Sequence, residues 1–179
     1  MAQHTLAVLV ENSPGVLARV AGLFSRRGYN IDSLAVGPTE DPKVSRMTIV
    51  LNLEGHALDQ VSAQLFKLVN VIGIQEMKES NTRQRELLFV KVAASRAQLE
   101  PILKDFQAEI VEEKSNYAVI QVVATAKDSA NLLEKLGKFG VRELVQSGAI
   151  AIELSSETLA EQTALETGLA RSETQSQLE

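Results

Sequence analysis

Residues able to recognise a small polar ligand cluster in the stretch VENSPGVLARVAGLFSRRGYNIDSLAV. Asn12 carries an amide donor and a carbonyl acceptor, so it can bind an ammonium group or a carboxylate. If a helix begins just after it, the unpaired amides of residues 14–17 and the positive end of the helix dipole favour a carboxylate there. Gly15 has no side chain, so a ligand can approach the backbone closely. The set suits an α-amino acid, whose side chain Val16 and Leu17 could bound.

The same residues also have an ordinary interpretation as turn chemistry. Asparagine before Ser-Pro-Gly is common in turns and at helix N-caps. Asn30 follows Gly28 and Tyr29, and an asparagine is equally common where a chain leaves a helix. The spacing alone leaves both interpretations open, because a short turn motif is a weak signal.

Patterns typical of catalysis are missing from the sequence. It contains no cysteine and only two histidines, His4 and His56, without metal-ligand spacing. No GxGxxG, Walker or GxSxG motif occurs. The acidic pairs Glu40–Asp41 and Glu112–Glu113 are predicted in a turn and at a strand end, where solvated charge is expected. These observations favour a binding module over an enzyme, and they predict no metal site.

The elements that must position these residues follow from the hydrophobic pattern of the first half, which predicts the order βαββαβ. Strands are predicted at 4–11, 30–37, 44–53 and 69–77. Asn12 or Ser13 is predicted to cap the first helix, with Pro14 in its first turn and Gly28 at its end. Each helix has an apolar stripe; the stripes comprise Val16, Leu17, Val20, Leu23 and Phe24, then Leu58, Val61, Leu65 and Leu68.

The second half repeats the order βαββαβ with little sequence similarity to the first. Its first helix contains Pro101, which is tolerable only in a first turn. The fold class is therefore α+β, with two tandem ferredoxin-like βαββαβ domains and a flexible tail. The predicted divisions are a first domain 1–77, a linker 78–85, a second domain 86–154 and a disordered acidic tail 155–179.

Charge and hydropathy exclude further classes of protein. Most of the net charge of −5 lies in residues 155–179, which contain five glutamates and one arginine. The nearly neutral body offers no basic surface for nucleic acid. No apolar run of eighteen residues and no basic N-terminal signal occur, so we expect no membrane partner and a location in the cytoplasm or a plastid-like compartment. Each unit is small, and the apolar stretch TLAVLV, taken as an edge strand, predicts pairing with a second copy.

A family resemblance extends over residues 3–154. The stretch VENSPGVLARVAGLFSRRGYNIDSLAV, followed by GPTEDPKVSRMTIVL, closely resembles the N-terminal ACT domain of the small, regulatory subunit of acetohydroxyacid synthase, also called acetolactate synthase. The similarity continues through FKLVNVIGI and the REL-V-KV start of the second half, and it ends near SGAIAI.

The resemblance implies a regulatory subunit of branched-chain amino-acid biosynthesis that works as an ACT-domain homodimer. Such a subunit activates the catalytic subunit and confers feedback inhibition by a branched-chain amino acid, usually valine, bound between two protomers. One half of the valine site is then Asn12, Pro14, Gly15, Val16 and Leu17, and the other half is Asn30 and Ile31 of the neighbouring protomer. Pro14 removes one backbone donor from this set.

The resemblance places the cofactors elsewhere. Thiamine diphosphate, FAD and magnesium are expected on the catalytic subunit, and none on this chain. The polar hairpin Pro38–Arg46 is the surface we expect to contact that subunit, through Asp41, Lys43 and Arg46; a solvated loop is the alternative. The second half has AASRAQLEP where the first has Asn-Ser-Pro-Gly, so it is predicted not to bind valine in the same way.

Two rival functions remain open at this point. A free-standing ACT-type amino-acid sensor could act on another partner such as a transcription regulator, although no basic helix-turn-helix segment is visible. An RNA-binding platform would need aromatic residues on the sheet face and a basic surface. Five phenylalanines, two tyrosines and a charge of −5 do not favour it.

Overall fold

The computed structural model describes residues 2–54 and 57–167. For residues 164–167 it describes the backbone only. The chain divides into two compact units: the first comprises Met1–Arg83 and the residues from Ala151 onward, and the second comprises Gln84–Ile150. Within the described ranges, no helix is long and apolar enough to cross a membrane.

The first unit has the predicted order βαββαβ, followed by a short 3₁₀ turn at Glu79–Asn81. Its four strands form one antiparallel sheet in the order β2-β3-β1-β4. The elements are β1 (Ala2–Glu11), α1 (Val16–Arg27), β2 (Ser33–Pro38), β3 (Val44–Leu53), α2 (Ala57–Leu65) and β4 (Val71–Glu76).

Strand β1 is a central strand, so the prediction that TLAVLV forms an edge is wrong. It pairs with β3 on one side and β4 on the other. Its alternate residues are buried on both faces, which explains why the stretch is continuously apolar. On one face Leu6 and Val8 join the core beneath the two helices, and on the other Ala7 and Leu9 join a second, smaller cluster.

Helix α1 ends as predicted and begins differently. Gly28 takes a left-handed conformation (φ 70°) and donates its N–H to carbonyls of the last turn. At the other end the N-cap is Gly15 (φ 85°), without a side-chain capping bond in the described structure. The predictions of a cap at Asn12 or Ser13 and of Pro14 inside the helix are therefore wrong, because the chain turns once more before the helix starts.

The second unit repeats the topology with its own core. The core residues include Leu88, Leu99, Ile120, Leu132 and Leu136. The sheet order is β6-β7-β5-β8. The elements are β5 (Thr82–Val92), α3 (Arg96–Phe106), β6 (Glu109–Lys114), β7 (Tyr117–Ala124), α4 (Ala126–Gly137) and β8 (Val141–Gln146). The next strand, β9 (Ile150–Glu153), lies in the first unit from Ala151 onward.

Three local expectations differ from the structure. A capping box between Ser95 and Gln98 starts α3 early, so Pro101 lies inside the helix and not in its first turn. The predicted linker 78–85 contains the 3₁₀ turn and the start of β5. The predicted disordered tail contains a further helix, α5 (Leu159–Thr167). The rest of that tail, 168–179, lies outside the described residues.

Candidate functional site

The turn that contains Asn12 is held against the hairpin between β2 and β3. The backbone N–H of Asn12 donates to the carbonyl of Lys43 at 2.7 Å, and its side-chain Nδ2 donates to the carbonyl of Pro42 at 2.9 Å. These bonds fix the direction of an exposed side chain. The Asn12 carbonyl oxygen takes part in neither bond, so Asn12 can be both a turn residue and a ligand-binding residue.

The start of α1 presents open backbone. Gly15 is exposed, and among the described residues nothing lies within 4 Å of where a Cβ would stand. Amides in the first turn of a helix have no partner from the preceding turn. Pro14 supplies no N–H, and the Val16 N–H donates to the carbonyl of Ser13 at 3.4 Å. The candidate donors here are therefore the amides of Gly15 and Leu17. A carboxylate could therefore approach this backbone without displacing a side chain.

The two apolar residues after Gly15 have different environments. Val16 is 3% exposed and packs in the core of the first unit, whereas Leu17 is 44% exposed. The structure therefore does not support a pocket bounded by the Val16 side chain, because that side chain points inward. Leu17, predicted on the buried stripe of α1, instead offers an apolar surface beside Gly15.

Asn30 and Ile31 lie at the opposite end of α1. The twelve residues of the helix span about 18 Å, so one chain does not bring Asn12 and Asn30 together. Asn30 donates from Nδ2 to the carboxylate of Asp32 at 2.7 Å, and Asn52 donates to the other oxygen of that carboxylate. Ile31 is partly buried against the core.

A polar network that was not predicted from the sequence lies next to the Asn12 turn. Asn70 accepts a hydrogen bond from the Arg19 guanidinium and donates one to the carboxylate of Glu11, while the Glu11 N–H donates to the Asn70 carbonyl. The network joins the end of β1 to α1 and to the turn before β4. No local pattern could have indicated it, because Glu11 and Asn70 are 59 positions apart.

The outer face of α1 also forms a groove of about 350 Å³. Two small residues four positions apart, Ala18 and Gly22, line the groove, and two arginines seven positions apart, Arg19 and Arg26, border it. This spacing places each pair on one side of a helix and is visible in the sequence. Leu68 also lines the groove.

The β2–β3 hairpin, predicted to contact a partner, is built largely around Thr39 and Asp41. The Lys43 N–H donates to the Asp41 carboxylate at 2.9 Å, and the Asp41 N–H donates to Thr39 Oγ1 at 3.2 Å. Arg46 is half-buried and donates from Nη2 to the carbonyl of Ala151 at 2.8 Å. Burial lowers the pKa of the Arg46 guanidinium, and nearby Glu40 opposes that shift. Of the three predicted contact residues, Asp41 and Arg46 thus already have structural partners.

Within the described part of the chain, no group of three acidic, histidine or cysteine side chains lies close enough together to hold a metal ion. The candidate site therefore consists of backbone amides, one asparagine side chain and an apolar surface. Such a set can bind and orient an amino acid.

Comparison with known proteins defines the class. Residues 6–73 match the family described as the AHAS small subunit-like ACT domain, so the first unit is an ACT domain. Residues 85–155 match the family described as the small subunit of acetolactate synthase. The chain therefore belongs to the family of acetolactate synthase small subunits and is a non-catalytic chain, which confirms the resemblance noted from the sequence.

Individual relatives agree with this assignment. The acetolactate synthase small subunit of Mycolicibacterium smegmatis is 47% identical over 152 residues, which cover 83% of this chain and 89% of the relative. A probable acetolactate synthase small subunit of Archaeoglobus fulgidus is 41% identical, with coverages of 84% and 96%. The crystal structure of the acetolactate synthase small subunit from Thermotoga maritima superposes with a TM-score of 0.80 at 27% identity, covering 88% of this chain and all of that one.

Proposed function

We propose that this chain raises the activity of the acetolactate synthase catalytic subunit and makes that activity inhibitable by valine. Membership of the small-subunit family supports the partner. The observation that best supports valine as the effector is the open start of α1, where the Gly15 backbone is accessible beside Asn12 and the exposed Leu17. Among effectors of this pathway, a branched-chain amino acid fits a site with amide donors next to an apolar side chain.

The proposed pocket forms between two copies of the chain. In one copy the amides of Gly15 and Leu17 receive the carboxylate, Asn12 binds the α-amino or carboxylate group, and the Leu17 side chain contacts that of the ligand. In the second copy Asn30 and Ile31 close the opposite wall. The distance between the two ends of α1 excludes a pocket built by both sets within one chain. Homodimerisation through the first domain is therefore part of the proposal.

A pocket shared between copies provides the means of regulation. A ligand shifts a conformational equilibrium only if it binds the two states with different affinity. Valine that contacts both copies stabilises one arrangement of the dimer over others. That arrangement, transmitted to the catalytic subunit, lowers its activity.

The second domain differs at the corresponding position. The N–H of Arg96, at the start of α3, donates to the carboxylate of Glu113 at 2.9 Å, and the Ser95–Gln98 capping box satisfies neighbouring groups. A carboxylate of the chain itself therefore occupies the place that a ligand carboxylate would need. We propose that the second domain binds no valine in this way and serves association.

The proposal also covers the cofactors of the enzyme and one alternative function of this chain. We propose that thiamine diphosphate, FAD and magnesium bind to the catalytic subunit and not to this chain. A free-standing ACT-type sensor acting on another partner is the alternative, and it would bind the same ligand without changing acetolactate synthase activity.

We expect calorimetric titration of the purified chain with valine to give saturable binding, and Asn12→Ala to weaken it by about tenfold or more. A hydrogen bond to a charged group contributes about 1.5–3 kcal/mol, and 1.4 kcal/mol corresponds to tenfold in affinity. Leucine and isoleucine are titrated in parallel. Sedimentation velocity on the same samples tests the dimer.

Asn116→Ala is the matched control, because Asn116 lies in an exposed turn of the second unit. We expect it to leave the valine affinity unchanged. A folded dimer that binds no branched-chain amino acid, alone or with the catalytic subunit, would contradict the sensor function. Binding without any effect on catalytic-subunit activity would favour the free-standing sensor.

For the hairpin we expect Lys43→Ala to weaken activation by about two- to fivefold and to leave valine binding unchanged, as is typical of one exposed interfacial charge. The backbone carbonyl of Lys43 that holds Asn12 survives this change. The triple variant Asp41→Ala/Lys43→Ala/Arg46→Ala should have a larger effect. The measurement is the activity of the catalytic subunit titrated with each variant.

Lys114→Ala, at the end of β6, controls for the loss of one positive charge. Activation by the triple variant equal to that of the wild type would exclude the hairpin as the contact surface. Loss of valine binding in Lys43→Ala would mean that the side chain itself supports the Asn12 turn.

A further inference from the structure

The C-terminal segment closes the face of the first sheet that its helices leave open. Ala151 and Leu159 are 6% and 8% exposed, and they pack in one cluster with Ala7, Leu9 and Met77 of the sheet side. Helix α5 lies beyond residue 155, the last residue that the family comparison matches. We call residues 151–167 the strap. Because it buries apolar residues of the central strand β1, it is part of the first domain.

Helix α5 touches the sheet at a position where only a glycine fits. A Cβ built on Gly73 of β4 would lie 2.2 Å from Thr163 Oγ1 and 2.8 Å from Thr163 Cβ. Thr163 is 5% exposed, and its hydroxyl donates to the carbonyl of Leu159 at 2.7 Å. The backbone of β4 and the helix are therefore in close contact, and this contact depends on the absence of a side chain at position 73.

A polar cluster around Glu153 holds the start of the strap and the middle of α5 against the first unit. The Glu153 carboxylate accepts hydrogen bonds from Nε2 of Gln75 at 2.8 Å and Nε2 of Gln162 at 2.8 Å, and from Asn81 Nδ2 at 3.2 Å. These amides, Gln162 foremost, hold the pKa of Glu153 below its ordinary value. The cluster therefore links β4, the 3₁₀ turn, β9 and α5.

The strap also connects to the turn that holds Asn12. Arg46 Nη2 donates to the carbonyl of Ala151, and Arg46 is the β3 residue that faces Leu9 in the sheet register. A few positions earlier in the same hairpin, the carbonyls of Pro42 and Lys43 hold the side chain and backbone of Asn12. A continuous path of hydrogen bonds and backbone runs from the strap to the proposed ligand site.

We propose that the strap is a conformational device which, when docked, fixes the β2–β3 hairpin and the Asn12 turn, and when released lowers the affinity for valine. The docking of the strap is supported by the contacts described above. Its effect on the affinity for valine rests on the proposed function. By linkage, a released strap that weakens valine binding implies that bound valine favours the docked strap.

Gly73→Ala tests the device, because the new methyl group displaces α5 without straining β4. Gly73 is not among the glycines with positive φ, so alanine is compatible with its backbone. We expect hydrogen exchange at the amides of α5 to accelerate by about tenfold or more, as for a locally unfolded segment. We also expect the dissociation constant for valine to rise several-fold.

Gly37→Ala is the matched control. Gly37 is a strand glycine of the same sheet with no described atom within 4 Å of an added Cβ. Exchange in α5 and valine affinity should both remain at wild-type values. Leu159→Ala is a second variant outside the sheet, which should release α5 in the same direction if Gly73→Ala fails to fold.

The outcomes separate the two levels of the proposal. Unchanged exchange of α5 in both Gly73→Ala and Leu159→Ala would overturn the strap. Faster exchange with unchanged valine affinity would overturn its coupling to the site. Absence of valine binding in the wild type would reject the proposed function and the coupling with it, while exchange would still decide whether the strap is docked as described.

Discussion

Replacing Phe24 with alanine is expected to lower the free energy of unfolding of the first unit by about 3–5 kcal/mol. Phe24 is 1% exposed and lies in the core between α1 and the sheet. Removing the ring loses its transfer free energy and leaves a cavity that surrounding strands cannot fill. The backbone carbonyl of Phe24, which accepts from the N–H groups of Gly28 and Tyr29, is retained in alanine, so the expected loss comes from the side chain alone.

Urea unfolding measures this loss of stability. Because the two units need not unfold together, residue-specific hydrogen exchange is used to follow the first unit separately. Phe66→Ala is the control, since Phe66 is 46% exposed. We expect it to cost about 1 kcal/mol or less. Equal losses for the two variants would contradict the assignment of Phe24 to the core.

Gly15→Val is expected to abolish measurable valine binding and to destabilise the first unit by about 1–3 kcal/mol. The φ of 85° at Gly15 lies in the left-handed region, where a β-branched residue is strained. A valine there would either hold this strain or move the start of α1, and its side chain would cover the amides proposed to receive the carboxylate. Calorimetry with valine and thermal unfolding measure the two effects.

Gly22→Ala serves as the comparison because it is a glycine of the same helix without positive φ. No described atom lies within 4 Å of an added Cβ there. We expect a gain of about 0.5–1 kcal/mol in stability, since alanine has the better helix propensity. Valine binding retained in Gly15→Val would show that the carboxylate does not rest on the start of α1.

Gly22→Ala also tests whether the ligand contacts the groove on α1. Ala18, Gly22 and Arg26 line it on the outer face of α1, the face that is not packed against the sheet. If Gly22→Ala weakens valine binding as well as stabilising the helix, the ligand contacts extend along α1 and are not confined to its start. Unchanged valine binding would agree with a pocket formed by the start of α1 in one copy and the end of α1 in the other.

Local patterns were sufficient for the elements whose limits depend on their own residues. The strand Val44–Leu53 was predicted with its observed limits, because four alternating apolar residues set its buried face. The end of α1 was predicted at Gly28, because Arg26 and Arg27 followed by glycine form a local stop signal. The twofold order βαββαβ followed from the same periodicity. Asn12 and Gly15 were recognised as candidates because turn residues at a helix start are visible in sequence.

Long-range contacts decided the rest. The placement of TLAVLV at the centre of its sheet depends on which strands pair with it, and a strand that is apolar on both faces fits either location by pattern alone. The burial of Val16 and the exposure of Leu17 depend on which face of α1 packs against the sheet. Sequence therefore identified the candidate residues but not which of their side chains are buried.

Helix α5 is the clearest case of both contributions. A capping pattern stands at its start, where the Thr158 N–H donates to the Glu161 carboxylate at 2.7 Å, although the segment was predicted to be disordered. Its docking was not predictable, because one buried leucine and one buried threonine do not make an apolar stripe. The sequence by itself thus determined the repeated order βαββαβ, the family resemblance and the candidate residues, but not the helix within residues 155–179. The tertiary structure alone decided that this segment covers the first sheet, since the fit requires Gly73, about ninety positions away in the chain, to leave room for Thr163.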